Sequence, residues 1–177
     1  MNALSPPCQR FVLHWGEMGT RWGINRTMAQ IHALLYLSDR PLAAEDIANA
    51  LGVARSNVST SLRELQNWRI VRLVHLVGDK RDHFEALHDV WEMFRLILNE
   101  RISRELDPTR DLLRRCLADG FGDGPLDPTS RKRLLALAEF FEVTSGWYAE
   151  VSGWPQAIVV RFLKLGGKVR RLLTLRA

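Results

Sequence analysis

The chain has 177 residues, the length of one domain or of one compact module with an appendage. Its 46% hydrophobic and 25% charged residues are globular proportions, which exclude disordered, collagen-like and low-complexity architectures. The 25 Lys and Arg residues exceed the 20 Asp and Glu residues, so the formal net charge is +5. This charge permits binding to a polyanion, but only a basic cluster on one face would indicate it.

Neither a membrane span nor a secretory signal is predicted. The longest aliphatic runs, such as residues 157–160, are only a few residues long, whereas a membrane-spanning helix needs about 20. Residues 1–10 lack the basic, apolar and small-residue order of a signal peptide. We therefore expect a cytoplasmic protein that does not bind membranes, with its two cysteines, Cys8 and Cys116, reduced.

Helical periodicity starts near the N-terminus. Apolar residues recur every three or four positions before Gly23, which predicts one amphipathic helix. These positions are Phe11, Trp15, Met18 and Trp22. A second helical pattern runs from Met28 to Leu37 and ends at the turn signal of residues 38–41.

A short helix and a polar-faced helix come next. Residues 42–52 carry a short apolar stripe and end at Gly52, a left-handed helix stop. Residues 54–68 place Val58, Leu62 and Leu65 inward at helical spacing. The predicted outward face consists of Arg55, Asn57, Thr60, Ser61 and Arg63, with Ser56 and Ser59 near its edge.

A β-hairpin and a helical C-terminal half are predicted after residue 69. Residues 70–77 and 82–86 have strand patterns, and residues 78–81 between them predict a basic tip. A helix is expected over residues 89–106, and the matching start signals of residues 106–109 and 126–129, each with a capping Asp and a Pro, predict two further helices. The last helices are expected over residues 130–151 and 155–173, with interruptions at Gly153 and at residues 166–167. Residues 155–177 contain six cations and no acidic residue, which makes a basic tail.

The order of these elements is that of a winged helix-turn-helix. An α-helix fits the major groove of B-DNA, and its first exposed side chains must be arginines or short hydrogen-bonding groups. Arg55 and Asn57 are the candidates for base edges, and Lys80 and Arg81 are the candidates for a neighbouring minor groove or backbone. The complete predicted DNA-binding set is Arg55, Ser56, Asn57, Ser59, Thr60, Arg63, Lys80, Arg81 and, as its weakest member, His83.

Residues 22–94 resemble the winged-helix regulators of the MarR superfamily, in particular the GbsR-like branch, which is named for a repressor of glycine-betaine synthesis genes. The residues that carry the resemblance are Arg55-Ser56-Asn57-Val58-Ser59, Leu62-Arg63-Glu64-Leu65, Trp68 and Gly78-Asp79-Lys80-Arg81-Asp82-His83-Phe84. The sequence departs from the family at Ala54, where a capping Ser or Thr is common, and at Arg69, where a Gly often ends the helix.

The resemblance implies a homodimer on a palindromic operator, with terminal helices at the dimer interface. A two-fold dimer also has a physical reason, because two recognition helices read more base pairs than one. The candidate interface consists of Trp91, Phe94, Leu98 and Ile102 with the apolar residues of 156–173, including Ile158, Phe162 and Leu165. An ordinary intramolecular core is the alternative use of these residues.

The aromatic residues outside the helix-turn-helix are a candidate effector cage. Aromatic rings bind quaternary ammonium ions by cation–π attraction, and a choline-like effector is a ligand class that the resemblance suggests. The candidates are Trp15, Trp22, Trp91, Trp147, Tyr148 and Trp154. Core and interface packing is the alternative.

The sequence as a whole predicts a mainly α-helical protein with a small β-hairpin wing. We expect an N-terminal helix in residues 1–26, a DNA-binding domain in 27–87 and a helical dimerisation and effector region in 88–177. The predicted function is a homodimeric transcriptional regulator, most readily a repressor, without cofactor or enzymatic activity. The alternative is a winged-helix module that binds proteins rather than DNA.

Two other kinds of site have weaker support. His83, His88 and Asp89 carry metal-capable side chains, but the segment has no matching second half for a zinc site. Gly120, Gly122 and Gly124 lack dinucleotide-loop spacing, so residues 120–125 are predicted to be a linker.

Overall fold

A computed structural model describes residues 4–118 and 126–174, with side chains as far as residue 165. The chain divides into two compact units, Met1–Glu100 and Arg101–Ala177. Within the described ranges, none of the helices combines the length and apolar character needed to cross a membrane. The glycine-rich segment 120–125, predicted to be a linker, lies outside the described residues.

The first unit has the predicted order of elements. Its helices and strands are α1 (Pro6–Arg21), α2 (Arg26–Leu37), β1 (Leu42–Ala43), α3 (Ala44–Leu51), α4 (Arg55–Asn67), β2 (Val71–Leu76), β3 (Asp79–Ala86) and α5 (Val90–Arg101). The mainly helical fold with a small antiparallel wing, predicted from periodicity, is confirmed.

The core of the first unit lies where α2, α3 and α4 meet the wing. Ile31 and Leu35 of α2 and Ile47 of α3 are almost completely buried. Val58, Leu62 and Leu65 of α4 are equally buried, which confirms the predicted inward face of that helix. Burying such a side chain stabilises the fold by about 1.5–3 kcal/mol, so the core fixes how α4 is presented to solvent.

The wing is a three-stranded sheet in the order β1-β3-β2. The strand patterns of the sequence predict the hairpin of β2 and β3 but not β1. This two-residue strand pairs Leu42 with Phe84 and Ala43 with His83. Two residues are too short a stretch to show period-two alternation, so β1 is specified by its partner strand.

Two glycines allow α1 to approach α2 closely. A Cβ atom added at Gly16 would lie 2.6 Å from Cγ of Gln30, and one added at Gly19 would lie 2.6 Å from Cβ of Ala29. Both distances are far below van der Waals contact. A larger residue at position 19 would therefore force the two helices apart, whereas one at position 16 would first displace the side chain of Gln30.

The second unit contains a π-helical turn, Ile102–Leu106, and the helices α6 (Asp107–Leu117), α7 (Pro128–Ser152) and α8 (Gln156–Thr174). The helix predicted over residues 89–106 is found, but its last turn is π-helical, because α5 ends at Arg101 and the π turn follows. Pro108 lacks a backbone donor and its ring would clash with the carbonyl of Arg104 in a regular helix. A wider turn before a proline relieves that conflict.

The predicted helix interruption at residues 166–167 is also wrong, because α8 continues through Gly166 and Gly167 to Thr174. Glycine in a helix interior costs only about 1 kcal/mol relative to alanine. That cost lowers helix stability without ending the helix, unlike the interruption at Gly153, which lies at the C-terminal end of α7.

Candidate nucleic-acid interface

Helix α4 begins without a side-chain cap. Gly52 has a left-handed backbone, with φ of 65°, and ends α3. Ala54 stands at the N-cap of α4 and has no side chain that could accept a hydrogen bond from the first turn. The first N–H groups of a helix have no intrahelical acceptor, so this end of α4 favours an anion.

The exposed face of α4 differs in part from the predicted one. Ser61 was predicted to face outward but is buried, whereas Ser56 and Ser59, predicted near the edge, are exposed. The reason is helical geometry: Ser61 is flanked by the buried residues Val58 and Leu65, three before it and four after it. The centre of the outward face is a row spaced at three to four residues, consisting of Ser56, Thr60, Arg63 and Asn67.

The other predicted DNA-binding residues of α4 are also exposed. Arg55 lies on one side of the outward row and Asn57 on the other. Neither side chain, nor that of Arg63, makes a hydrogen bond or an ion pair with another described residue. All three can therefore bind a ligand without first breaking an internal contact.

Helix α4 ends in a Schellman motif built on an arginine. The N–H of Arg69 donates to the carbonyl of Gln66 over 2.9 Å, and the N–H of Ile70 donates to the carbonyl of Leu65 over 3.2 Å. Arg69 has φ of 60°, and it is the one residue other than glycine with positive φ in residues 4–118 and 126–174. A left-handed conformation costs an L-residue about 1–2 kcal/mol, and Arg69 therefore strains the junction between α4 and the wing.

The turn of the wing is formed by Val77 and Gly78, which connect β2 to β3. Gly78 has φ of 86°, the conformation that a type II turn requires at its second central position. The basic tip predicted for residues 78–81 is therefore wrong in position. Lys80 and Arg81 lie within β3, beyond the turn.

A bulge in β3 contains both cations. Val74 pairs with His83 and Leu76 pairs with Asp79, so residues 80–82 of β3 lie opposite the single residue His75 of β2. Extra residues in one strand bend it and redirect its side chains. Here the bulge directs the guanidinium group of Arg81 to Asp46 of α3, with 3.7 Å between Nη1 and Oδ2.

Arg81 also binds Asp79, the first residue of its own strand. Its Nη2 donates to Oδ2 of Asp79 over 2.7 Å, and its backbone N–H donates to Oδ1 over 3.0 Å. These hydrogen bonds lower the pKa of Asp79 far below its usual value and raise the pKa of Arg81. Because these groups are exposed, solvent screens the pair and it contributes little to global stability; its main effect is to orient Arg81.

His83 does not face DNA as predicted, because its side chain is buried beneath the bulge. Nδ1 lies 2.8 Å from the carbonyl oxygen of Arg81, and since a carbonyl only accepts, Nδ1 donates. Nε2 lies 3.4 Å from Oδ2 of Asp79. The ring therefore satisfies a carbonyl that the bulge removes from the strand ladder. Lys80 makes no ion pair or hydrogen bond with any described residue.

The predicted aromatic cage residues are divided between the two units. In the first unit, the ring of Trp15 lies 5.3 Å from that of Phe11, and Trp22 and Trp91 are exposed. In the second unit, Trp154 makes an edge contact with Phe162 over 5.6 Å, and Trp147 is exposed. Tyr148, the sixth candidate, is half-buried in α7.

Other candidate chemistry has little geometric support. In the part of the chain that the structure describes, His, Cys, Asp and Glu side chains do not gather in groups of three or more that could hold a metal ion. Cys8 and Cys116 are both free and half-buried.

The sequence does not predict the link between Arg81 and Asp46. The two residues lie on different elements, 35 positions apart, and no local periodicity connects them. The signal in the sequence that could have indicated this ion pair is the acidic first turn of α3, with Glu45 and Asp46. Acidic residues are common there for another reason, because they interact favourably with the helix dipole.

Comparisons with known proteins agree with this geometry. Residues 22–82 match the family model described as MarR family. The crystal structure of a transcriptional regulator is 20% identical and has a TM-score of 0.65, with 84% of this chain and 97% of that chain covered. The comparison with curated proteins found no match. The fold is therefore a MarR-type winged helix.

Two further solved structures are similar at lower scores. The complex of Staphylococcus aureus MepR with DNA is 16% identical, with 60% of this chain and 83% of that chain covered and a TM-score of 0.36. The transcriptional regulator BldR from Sulfolobus solfataricus is 18% identical, with 59% and 78% covered and a TM-score of 0.35.

Proposed function

We propose that this chain is a sequence-specific transcriptional regulator that binds double-stranded DNA. The observation that carries the proposal is the outward face of α4, where arginine, asparagine and hydroxyl side chains lie exposed without partners among the described residues. The match of residues 22–82 to the MarR family supports it. The same residues make an enzymatic role the weaker interpretation, because none of them forms a nucleophile–base pair.

In this proposal α4 enters the major groove with its first turn leading. Arg55 can bond guanine and Asn57 can bond adenine, each in a bidentate manner. Ser56, Ser59 and Thr60 bind phosphates and fix the register, assisted by the uncapped N–H groups at the start of α4. Arg63, one turn further along the exposed row, binds a base edge or a phosphate.

The wing supplies salt-dependent affinity. Lys80 has no partner in the part of the chain that the structure describes, and it releases counterions when it meets the DNA backbone. Arg81 approaches DNA from an orientation set by Asp79 and Asp46. His83 acts indirectly, because its buried ring supports the bulge that carries both cations.

A homodimeric repressor is the form that we propose. The second unit has many exposed apolar side chains: Leu112, Leu135, Leu137, Phe140, Val143, Trp147, Ile158, Leu163 and Leu165. A monomer would leave this apolar surface in water, whereas dimerisation would bury it. Trp91 and Phe94 of α5 are exposed as well, as a dimer interface requires.

We also propose that the protein binds a small cationic effector, on the basis of its aromatic residues. The resemblance of the recognition segment supports the further proposal that the protein belongs to the GbsR-like branch of the superfamily. Titration with choline, followed by tryptophan fluorescence and melting temperature, tests the effector. An unchanged spectrum and melting temperature would remove the cage and leave Trp15, Trp22, Trp91, Trp147, Tyr148 and Trp154 as packing residues.

The test of DNA binding is a titration of the purified protein against DNA from its own upstream region and a scrambled duplex, at several salt concentrations. Asn57→Ala should lose about 1–3 kcal/mol on the specific duplex and almost nothing on the scrambled one. Lys80→Ala should weaken binding to both and reduce the salt slope by about 1. Mass measurement in parallel tests the dimer.

Equal losses on both duplexes for Asn57→Ala would refute its base-reading role. Glu45→Gln, a change of an exposed residue on α3, is a matched control that should leave sequence preference intact. Binding to neither duplex would favour the alternative, a winged-helix module that docks on a protein.

A further inference from the structure

The apex of the wing is apolar. Val77, the first residue of the two-residue turn, is fully exposed, and Leu73 and Leu76 of β2 are also exposed. Turn chemistry does not require a valine there, since the first central position of a type II turn accepts most residues and favours proline. Single exposed apolar residues are ordinary, but here Leu76 and Val77 are neighbours at the end of one short hairpin.

The cations of the wing do not occupy this apex. Arg81 is held by its bonds to Asp79 and by its ion pair with Asp46 on α3. Lys80 lies in the bulge of β3, two residues after Gly78. The side chain at the turn itself is therefore that of Val77, and it is followed along the chain by Lys80, which has no partner among the described residues.

An apolar apex beside a lysine is suited to the minor groove of DNA. Apolar side chains contact the sugar walls and the base floor there, and wedges of this kind are used by minor-groove proteins. A guanine adds an exocyclic amino donor to the groove floor, which A·T pairs lack. A valine cannot accept that hydrogen bond, so covering the amino group would leave a buried donor unsatisfied.

Resting on the proposed function, we infer that Val77 contacts the minor groove next to the major-groove site of α4 and selects A·T over G·C pairs there. Lys80 would hold the adjacent phosphates and add no sequence preference. Val77 is thus a specificity-determining residue whose contribution depends on the shape and hydrogen-bonding pattern of the groove floor, independent of the bases that α4 reads.

The test starts with a duplex that the full-length protein selects from a random-sequence pool, so that no operator need be known. The pairs that flank the α4 footprint are then changed from A·T to G·C, and to inosine·C, which has no minor-groove amino group. We expect G·C flanks to weaken binding about fivefold and inosine·C flanks to restore it.

Val77→Thr keeps the β-branched shape but adds a hydroxyl group, and it should remove the discrimination between G·C and inosine·C. Val77→Asn, a good turn residue, should do the same, so the result does not depend on one variant's folding. Val90→Thr is the matched control, since Val90 is an exposed valine at the start of α5 in the same unit. This control should discriminate like the unchanged protein.

The outcomes are separable. A protein that selects no duplex overturns the proposed function and this inference together. Sequence-specific binding with equal affinity for G·C and inosine·C flanks overturns the inference alone, as does discrimination that survives in both Val77 variants.

Discussion

Folding should depend on pH through one buried histidine of α2. The side chain of His32 is 4% exposed, and its Nε2 atom has no hydrogen-bond partner among the described residues. Burial disfavours the charged imidazolium, which lowers the pKa of His32 from 6.5 to about 4. In the unfolded chain the ring regains water and its ordinary pKa.

The sign of the effect follows from proton uptake. Between these two pKa values the unfolded chain binds a proton that the folded chain does not, so acid favours unfolding. Stability is fully present above about pH 6.5 and is lost as the pH falls toward 4. From the two pKa values, the free energy of unfolding should drop by about 2 kcal/mol between pH 7.5 and pH 5, and by about 3 kcal/mol at pH 4.

The assay is urea unfolding followed by tryptophan fluorescence at pH 7.5 and pH 5. Asp79, Asp127 and Glu142 have lowered pKa values, so the stability linked to these carboxylates is lost mainly below this window. His32→Leu should flatten the pH dependence, whereas His14→Gln, at an exposed position of α1, should preserve it. An equal drop in the His32→Leu variant and the unchanged protein would refute this explanation.

Three further predictions concern backbone positions and can be checked by thermal and urea unfolding. Gly19→Ala should destabilise the first unit by about 1–3 kcal/mol, because the new Cβ would lie 2.6 Å from the Cβ of Ala29. Gly146→Ala is the control, because a Cβ added at that position of α7 would have no heavy atom within 4 Å. It should be neutral or stabilise the protein by up to about 1 kcal/mol. Arg69→Gly should stabilise by about 1 kcal/mol by relieving the left-handed conformation. Ala54→Ser should add about 1 kcal/mol by capping α4. A loss of stability in either of the last two variants would contradict the assigned backbone geometry.

The helices of the first unit were predictable because their apolar residues recur at helical spacing. Periodicity identified the buried face of α4 through Val58, Leu62 and Leu65, and a left-handed stop identified the end of α3 at Gly52. The π turn was not predictable in the same way, because the conflict between Pro108 and the helix before it depends on backbone geometry rather than on hydrophobic pattern.

The candidate site was predictable in composition but not in arrangement. The sequence identifies Arg55, Asn57 and Lys80 as exposed polar residues, and the structure places all three on the surface. Sequence spacing could not reveal that His83 is buried, because its ring is covered by the bulge of residues 80–82 and bonds the carbonyl of Arg81 there. Period-two alternation describes a regular strand and does not predict a bulge.

The positions that depart from ordinary local rules lie around the proposed DNA surface. Ala54 leaves the start of α4 uncapped, Arg69 strains its end, and Val77 exposes an apolar side chain at the wing apex. Such departures are expected at functional sites, because residues selected for binding are often not the ones that would give the folded chain its greatest stability. Under the proposed function, a serine at position 54 would use the free N–H groups that a phosphate otherwise binds. Ala54→Ser should therefore raise stability while weakening binding to specific and scrambled DNA alike, a combination that purely structural roles for these residues do not predict.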